Sequence, residues 1–343
     1  MSISSPLVSI VTPTKNRSSL LRETILSVIS QTYTNWEMLI IDDLSTDNTV
    51  EMLKEFSTEN RVTYYKRKGE ISGAQVCRNQ GIDLAQGEYI ILLDSDDLLS
   101  KTCIENRADF LTNNPELDFA AFPTIIFGWE YPNYDTYWNL PNMEDDIVRF
   151  LNWDPLWQTT SVIWKKKSLL SIYPFNIETL SFQDIEIHIK AILFGLKYIF
   201  RKTDPDNFHR EHESERIGHH TNNIHHLISH EKLLISIYTM LNDKKMLNDG
   251  RKRSLAGFYF RVCTFWVQNN NLKKALDLWK SVSVLHLANT TTYYSAILYF
   301  NYRSINRNEK IPLLSRMRLV FQKLLPADFF LLNNTWKKIK KRQ

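Results

Sequence analysis

Two apolar stretches of this chain run straight into paired aspartates. Ile40-Ile41 leads into Asp42-Asp43, and Tyr89–Leu93 leads into Asp94-Ser95-Asp96-Asp97. Apolar runs this short, bounded by turn residues, read as buried strands, and the acids mark where each leaves the sheet. Residues 6–12, ended by Pro13, read as a first strand, and Val62–Lys66 as a third. Between them Leu21, Ile25, Val28 and Ile29 recur at helical spacing within 18–33, a further helix is capped near Thr46 or Asp47 and runs through Phe56, and 74–85 forms another, closed by Gly87. Strands alternating with helices predict an α/β, Rossmann-like fold, an open and mostly parallel sheet with helices on both faces. Ligands in such sheets bind beyond the carboxyl ends of the strands, where these aspartates lie.

The pattern loosens after about residue 114. Short strands (Phe119–Phe122, Ser161–Trp164) alternate with aromatic loops up to a helix over 184–196. From 224 the periodicity is helical, over 224–240, 251–268, 272–284 and 290–302. The organisation expected is therefore an α/β catalytic unit over 1–222 and a helical C-terminal region over 223–343.

The 42 basic and 38 acidic residues nearly cancel, so a nucleic-acid partner is not expected. Cys77, Cys103 and Cys263 have neither disulfide nor zinc spacing, which suits a reducing compartment. No secretory leader and no apolar run of spanning length is read, so a cytoplasmic location is expected.

Asp94 and Asp96, two apart on an extended segment, project to one side. Hard oxygen ligands of this kind suit Mg²⁺ or Mn²⁺ shared with a diphosphate. The alternative is a solvated turn with Asp97 as helix cap. A dinucleotide-binding dehydrogenase would need a G-x-G-x-x-G after the first strand, where this chain has Thr14-Lys15-Asn16-Arg17-Ser18.

The segment Arg78-Asn79 followed by Gly81–Asp97 resembles the ARN-x-G-I-x-x-A-x-G-E-Y-I-x-x-L-D-x-D-D block of family 2 glycosyltransferases. Pro13–Arg17 resembles their P-x-Y-N-R/K opening, with Lys15 in place of Tyr. Ser27–Glu37 resembles S-x-x-x-Q-T-Y-x-x-x-E, and Ile40–Asp47 resembles I-x-D-D-G-S-x-D, with Leu44 in place of Gly. Phe182-Gln183-Asp184-Ile185-Glu186 is similar to the later E-D-x-E/D block, with Gln183 in place of Glu.

The resemblance implies a GT-A fold, a nucleotide-sugar donor (a UDP-sugar above all), a divalent cation and inverting transfer of a hexosyl or N-acetylhexosaminyl group to a glycan or lipid-linked acceptor. It implies that Asp43 receives the base edge and that Pro13 and Asn16 line the nucleoside pocket. Asp94 and Ser95 would lie against the nucleotide sugar, Arg78 near the diphosphate, and Asp96 on the metal. Asp184 would be the base, where a bland reading makes it a helix N-cap. Phe208–Ser214 resembles a block in which Arg210 holds phosphate and His212 joins the metal, with His209 as the other candidate. The other reading of the whole is a non-catalytic binding or scaffold protein on the same fold.

Trp129, Tyr131, Trp138, Trp153 and Trp157 are core candidates, one or two of which are expected at an acceptor cleft. The C-terminal 30 residues mix Lys and Arg with Phe321, Leu325, Phe329 and Trp336, interrupted by Pro326. This composition suits two short helices on a membrane surface, or packing onto the body or a second subunit as a homo-oligomer.

Overall fold

The computed structural model describes residues 5–128, 131–211, 223–305 and 317–330. The first half runs β1 (Val8–Thr14), α1 (Ser18–Ile29), β2 (Trp36–Asp42), α2 (Thr49–Leu53), β3 (Val62–Lys66), α3 (Ala74–Leu84) and β4 (Tyr89–Leu92). It continues with β5 (Leu98–Leu99), α4 (Cys103–Asn113), β6 (Phe119–Ala121), β7 (Thr124–Gly128), β8 (Tyr131–Tyr137), α5 (Asp146–Leu151), β9 (Val162–Lys165), α6 (Lys166–Ile172), α7 (Gln183–Leu193), β10 (Tyr198–Phe200) and β11 (Asn207–Glu211).

Seven strands form the main sheet in the order β10-β6-β9-β4-β1-β2-β3. All neighbours are parallel except β9, which is antiparallel to both β4 and β6. The expected open α/β sheet is therefore present. Its inner strands β1 and β4 are buried on both faces, and alternate residues enter different cores. Val8, Ile10, Tyr89, Ile91 and Leu93 face α1 and α4, with Leu21, Ile25 and Ile104. Val11, Ile90 and Leu92 face the other way, with Ile82. A Cβ on Gly81 would lie 2.3 Å from Val11 Cγ1, so α3 seats on β1 at this depth only with glycine there.

A second sheet, β5-β11-β7-β8, was not legible from the sequence. Tyr131–Tyr137, within the stretch expected to alternate short strands with aromatic loops, is a strand paired with β7. Its residues and those of β11, Asn-Phe-His-Arg-Glu, carry no apolar alternation to announce them.

The C-terminal region is helical as expected: α8 (Ile224–Asp243), α9 (Asp249–Gln268), α10 (Leu272–Val284), α11 (Thr290–Ile305) and α12 (Met317–Leu324), with a 3-10 turn over Ala327–Phe330 beyond Pro326. α9 is buried from Ser254 to Val267. One hydrophobic core runs from Val11 and Leu92 of the sheet through Phe150, Ile185 and Phe258 to Phe329. Arg261 is buried within it and donates to Leu151 O at 2.6 Å and Asp328 O at 2.9 Å. Burial pushes its guanidinium down to about 9. Phe321, Leu325 and Phe329 of the tail are also buried.

Candidate active site

The carboxyl ends of β1, β2 and β4 open onto one mouth. Asp42, the last residue of β2, accepts from the Ser45 backbone N–H at 3.0 Å and folds the turn back on itself. Leu44 takes φ 59 in that turn. Position 44 thus keeps the left-handed backbone that glycine enters freely, at a cost of roughly 1–2 kcal/mol for leucine.

Asp43 is buried beside it. Its Oδ1 accepts from Arg67 Nε, and its Oδ2 from Ser72 Oγ at 2.5 Å, the Gly73 N–H at 3.1 Å and Lys15 Nζ at 3.3 Å. The unusual Lys15 thereby has a defined partner. It is also exposed, with 52% of its side chain open. The base-edge role implied for Asp43 therefore requires one donor to yield, and Lys15 is the one at the rim. Arg67 and Ser72 carried no signal in the sequence beyond following a third strand.

Beyond β4, three aspartates have three environments. Asp94 Oδ1 accepts from Arg78 Nη2 at 2.6 Å. Burial holds its carboxyl above the usual range; Arg78 pulls it down, and Asp97 and Asp96 push it up. The Asp96 carboxylate is ion-paired with Arg17. Asp97 is fully buried, and neither a free acid nor the helix cap of the sequence reading. It accepts from the Arg210 backbone N–H at 3.2 Å, Thr160 Oγ1 at 2.9 Å and Gln158 Nε2 at 3.3 Å, with His209 Nδ1 at 3.1 Å. Asp97 is what ties the aspartate loop to β11. The sequence hid this because its partners lie 61 to 113 residues away.

Asp184 lies in the first turn of α7. The N-cap is Phe182, at φ 62, with no side-chain cap bond, so the helix-cap reading of Asp184 does not hold. Burial raises its carboxyl above the usual range, opposed by the Ile185 backbone N–H and by Arg78, while the Asp94 charge adds to the rise. Arg78 joins the two sides. One Nη holds Asp94 and the other donates to Gln183 Oε1, beside the base candidate.

The other implied residues are distributed around this mouth. Pro13 is buried in β1, in register with Ile41. Asn16, at φ 52, accepts on Oδ1 from the Thr46 N–H at 2.7 Å, so it braces the loop after β2. Ser95 is buried. Arg210 donates from Nε to Asp96 O at 2.9 Å and from Nη2 to Glu23 Oε2 at 2.6 Å, over the Phe127 ring. It holds the aspartate loop against α1. His212 and Trp129 lie outside the described residues, as does the Tyr131 side chain. Trp157 is core, and Trp153 packs at a tilt against Phe182 with the Arg261 guanidinium over its ring. Trp138 packs edge-on against His209, whose Nδ1 lies 3.1 Å from Asp97.

Among the described residues no three His, Cys, Asp or Glu side chains gather to hold a metal. A cation shared with a diphosphate needs only one or two carboxylates, the rest of its shell being phosphate oxygen and water. Asp94 and Asp96 fit that kind of site, provided Arg17 moves off Asp96.

The family model described as glycosyl transferase family 2 matches residues 9–170. A Bacillus subtilis glycosyltransferase, provisionally assigned to teichuronic acid biosynthesis, is 39% identical over 106 residues, which are 31% of this chain and 42% of that protein. The chain thus matches less than half the length of that relative. In fold, it is similar to a Staphylococcus aureus TarS fragment solved with UDP-GlcNAc (TM-score 0.63, 17% identity, covering 90% of this chain and 91% of that one). A Pyrobaculum calidifontis mannosyltransferase, solved with GDP-Man and Mn²⁺, aligns with TM-score 0.51 and 16% identity over 98% of this chain and 89% of that one. The main sheet and its flanking helices are therefore of the GT-A type.

Proposed function

We propose that the chain, whose residues 9–170 match the glycosyl transferase family 2 model, transfers a sugar from a nucleotide-diphosphate sugar to a hydroxyl of a glycan or lipid-linked acceptor, with inversion. The observation that carries this is Arg78, which brings the donor-side carboxylate Asp94 and the Asp184 turn to opposite ends of one guanidinium.

In this reading Asp184 takes the proton of the acceptor hydroxyl as that oxygen bonds to the anomeric carbon of a nucleotide-diphosphate sugar. The bond from that carbon to the diphosphate breaks, and its electron pair leaves on the phosphate oxygen of the departing nucleoside diphosphate. A base raised above the ordinary carboxylate range is better matched to a hydroxyl near neutral pH. Pro13 and Asp43 would receive the nucleoside, and Asp94 and Ser95 the rest of the donor. Asp96 would hold a Mg²⁺ or Mn²⁺ that neutralises the departing diphosphate, as the Mn²⁺ of the Pyrobaculum protein suggests. The UDP-GlcNAc of TarS makes a UDP-sugar the first donor to try. Thermal stabilisation by a panel of nucleotide sugars, with and without Mn²⁺, selects the donor. An anomeric coupling constant on the product then tests inversion, and retention would overturn the base assignment.

Peripheral attachment to an inner membrane face belongs to the same proposal, since it would bring the cleft to a lipid-linked acceptor. Its support is the cationic tail. Among the described residues no helix is long and apolar enough to cross a membrane. Because Phe321, Leu325 and Phe329 are used in packing, apolar contact from the described tail would fall to Met317, Val320 and Leu324.

A further inference from the structure

The hydrogen bonds that link α3 to Gln183, the neighbour of Asp184, run in one direction, and their polarity is dictated by chemistry. A guanidinium only donates. Arg78 therefore donates to Asp94 Oδ1 and to Gln183 Oε1. With its oxygen committed, Gln183 presents Nε2, which donates to Gln75 Oε1 at 2.8 Å. Gln75 in turn presents its own Nε2, which donates to Ile177 O at 2.9 Å. Both glutamines are buried. A glutamate at 183 would still accept from Arg78, but its second oxygen would face Gln75 Oε1. Turning Gln75 over would relieve that contact and leave its oxygen against Ile177 O. The departure at 183 noted in the sequence thus has a structural partner in Gln75.

The surroundings of Asp184 show what the uncharged side chain accomplishes. Arg78 from α3 and Asp94 beyond β4 are the charged side chains acting on it. On its own helix, Glu186 turns to Thr179 and Asn176, Lys190 interacts with Glu186, and His188 is buried and neutral, down to about 3. From α5, Arg149 pairs with Asp154 and Asp146 accepts from Tyr198; Lys166 of α6 donates to Ala85 O; and His230 of α8 bonds Ser181.

We propose that Gln183 and Gln75 are positioning residues, an amide relay that holds the Arg78 guanidinium between Asp94 and Asp184 without placing a second negative charge beside the base. The inference rests on the reading of Asp184 as base, and its test has a readout that does not depend on turnover. The Asp184 carboxyl is titrated by ¹³C NMR in the full-length protein, assigned by its loss in Asp184→Asn, and release of UDP from UDP-GlcNAc is followed over the same pH range. Gln183→Glu should move the Asp184 midpoint, and with it the acidic limb of kcat, up by about one pH unit, since a like charge is added and the cation is shared. Gln75→Leu should lower kcat about tenfold with the donor KM within about twofold. An unmoved midpoint in Gln183→Glu, or a Gln75→Leu loss confined to KM, overturns the relay. If Gln183→Glu does not fold, Arg78→Gln must raise the midpoint in the same direction, and a fall overturns the proposal equally. Absence of turnover with any nucleotide sugar would sink the glycosyltransferase reading, while the NMR midpoint would still decide the relay.

Discussion

Arg17 is ion-paired with Asp96, so the carboxylate proposed to share a cation with a diphosphate already faces a positive charge. Metal binding at Asp96 must therefore displace the guanidinium. Arg17→Ala should bind Mn²⁺ more tightly than the parent chain in the absence of nucleotide, as read by electron paramagnetic resonance. Asp96→Ala should lose metal-dependent nucleotide-sugar binding and transfer. Full transfer in EDTA would remove the cation from the mechanism.

Asp184→Asn keeps the shape of the side chain and cannot take a proton. Transfer should fall by ~10² or more with donor affinity unchanged. Stability should move the other way. A carboxyl whose folded pKa is raised above its unfolded value stabilises the fold below the unfolded pKa, and that stability is lost as pH rises through the folded pKa. Burial places Asp184 in this class. The Asn variant should therefore melt at or above the parent temperature at pH 7. A lower melting temperature at pH 7 would contradict the assignment.

If the chain turns over as proposed, the acidic limb of its kcat profile should lie above the ordinary aspartate value of about 4, because burial raises Asp184 and the Asp94 charge adds to it. A limb at or below that value would show that the carboxyl meets water freely.

A chain ended at residue 222 should not fold into a soluble domain. It would bare Phe150, Ile185 and Phe182, which now pack with Phe258 and its neighbours. Circular dichroism and gel filtration would decide this, and a cooperative melt for 1–222 would show that the catalytic unit stands alone. Within the full chain, Phe329→Ala should cost ~3–5 kcal/mol on denaturant unfolding, since that ring is buried against Phe260 and Trp279.

Vesicle sedimentation tests the membrane part of the reading. Full-length protein should pellet with anionic vesicles, less so in high salt, and a chain ending at Pro312 should not. Full-length protein that stays in the supernatant leaves the tail as a packing element alone.

Local chemistry determined much of this protein. Val8–Val11 and Tyr89–Leu93 are short, mainly apolar runs bounded by turn residues and buried throughout, so the strands, and the acids at their ends, could be read off the chain. The helices from 224 onward followed from the same kind of signal, and Pro326 marked the break in the tail. What the sequence could not show were relationships over long separations. The strand Asn207–Glu211 has no apolar alternation, and it is held by Asp97, whose carboxylate has meaning only once the fold brings Arg210 to it. Likewise Lys15 and Gln183 stood out only as departures from a pattern. Tertiary structure supplied their partners, because hydrogen-bond polarity is settled by which donor and acceptor meet: Asp43 for Lys15, and Arg78 and Gln75 for Gln183.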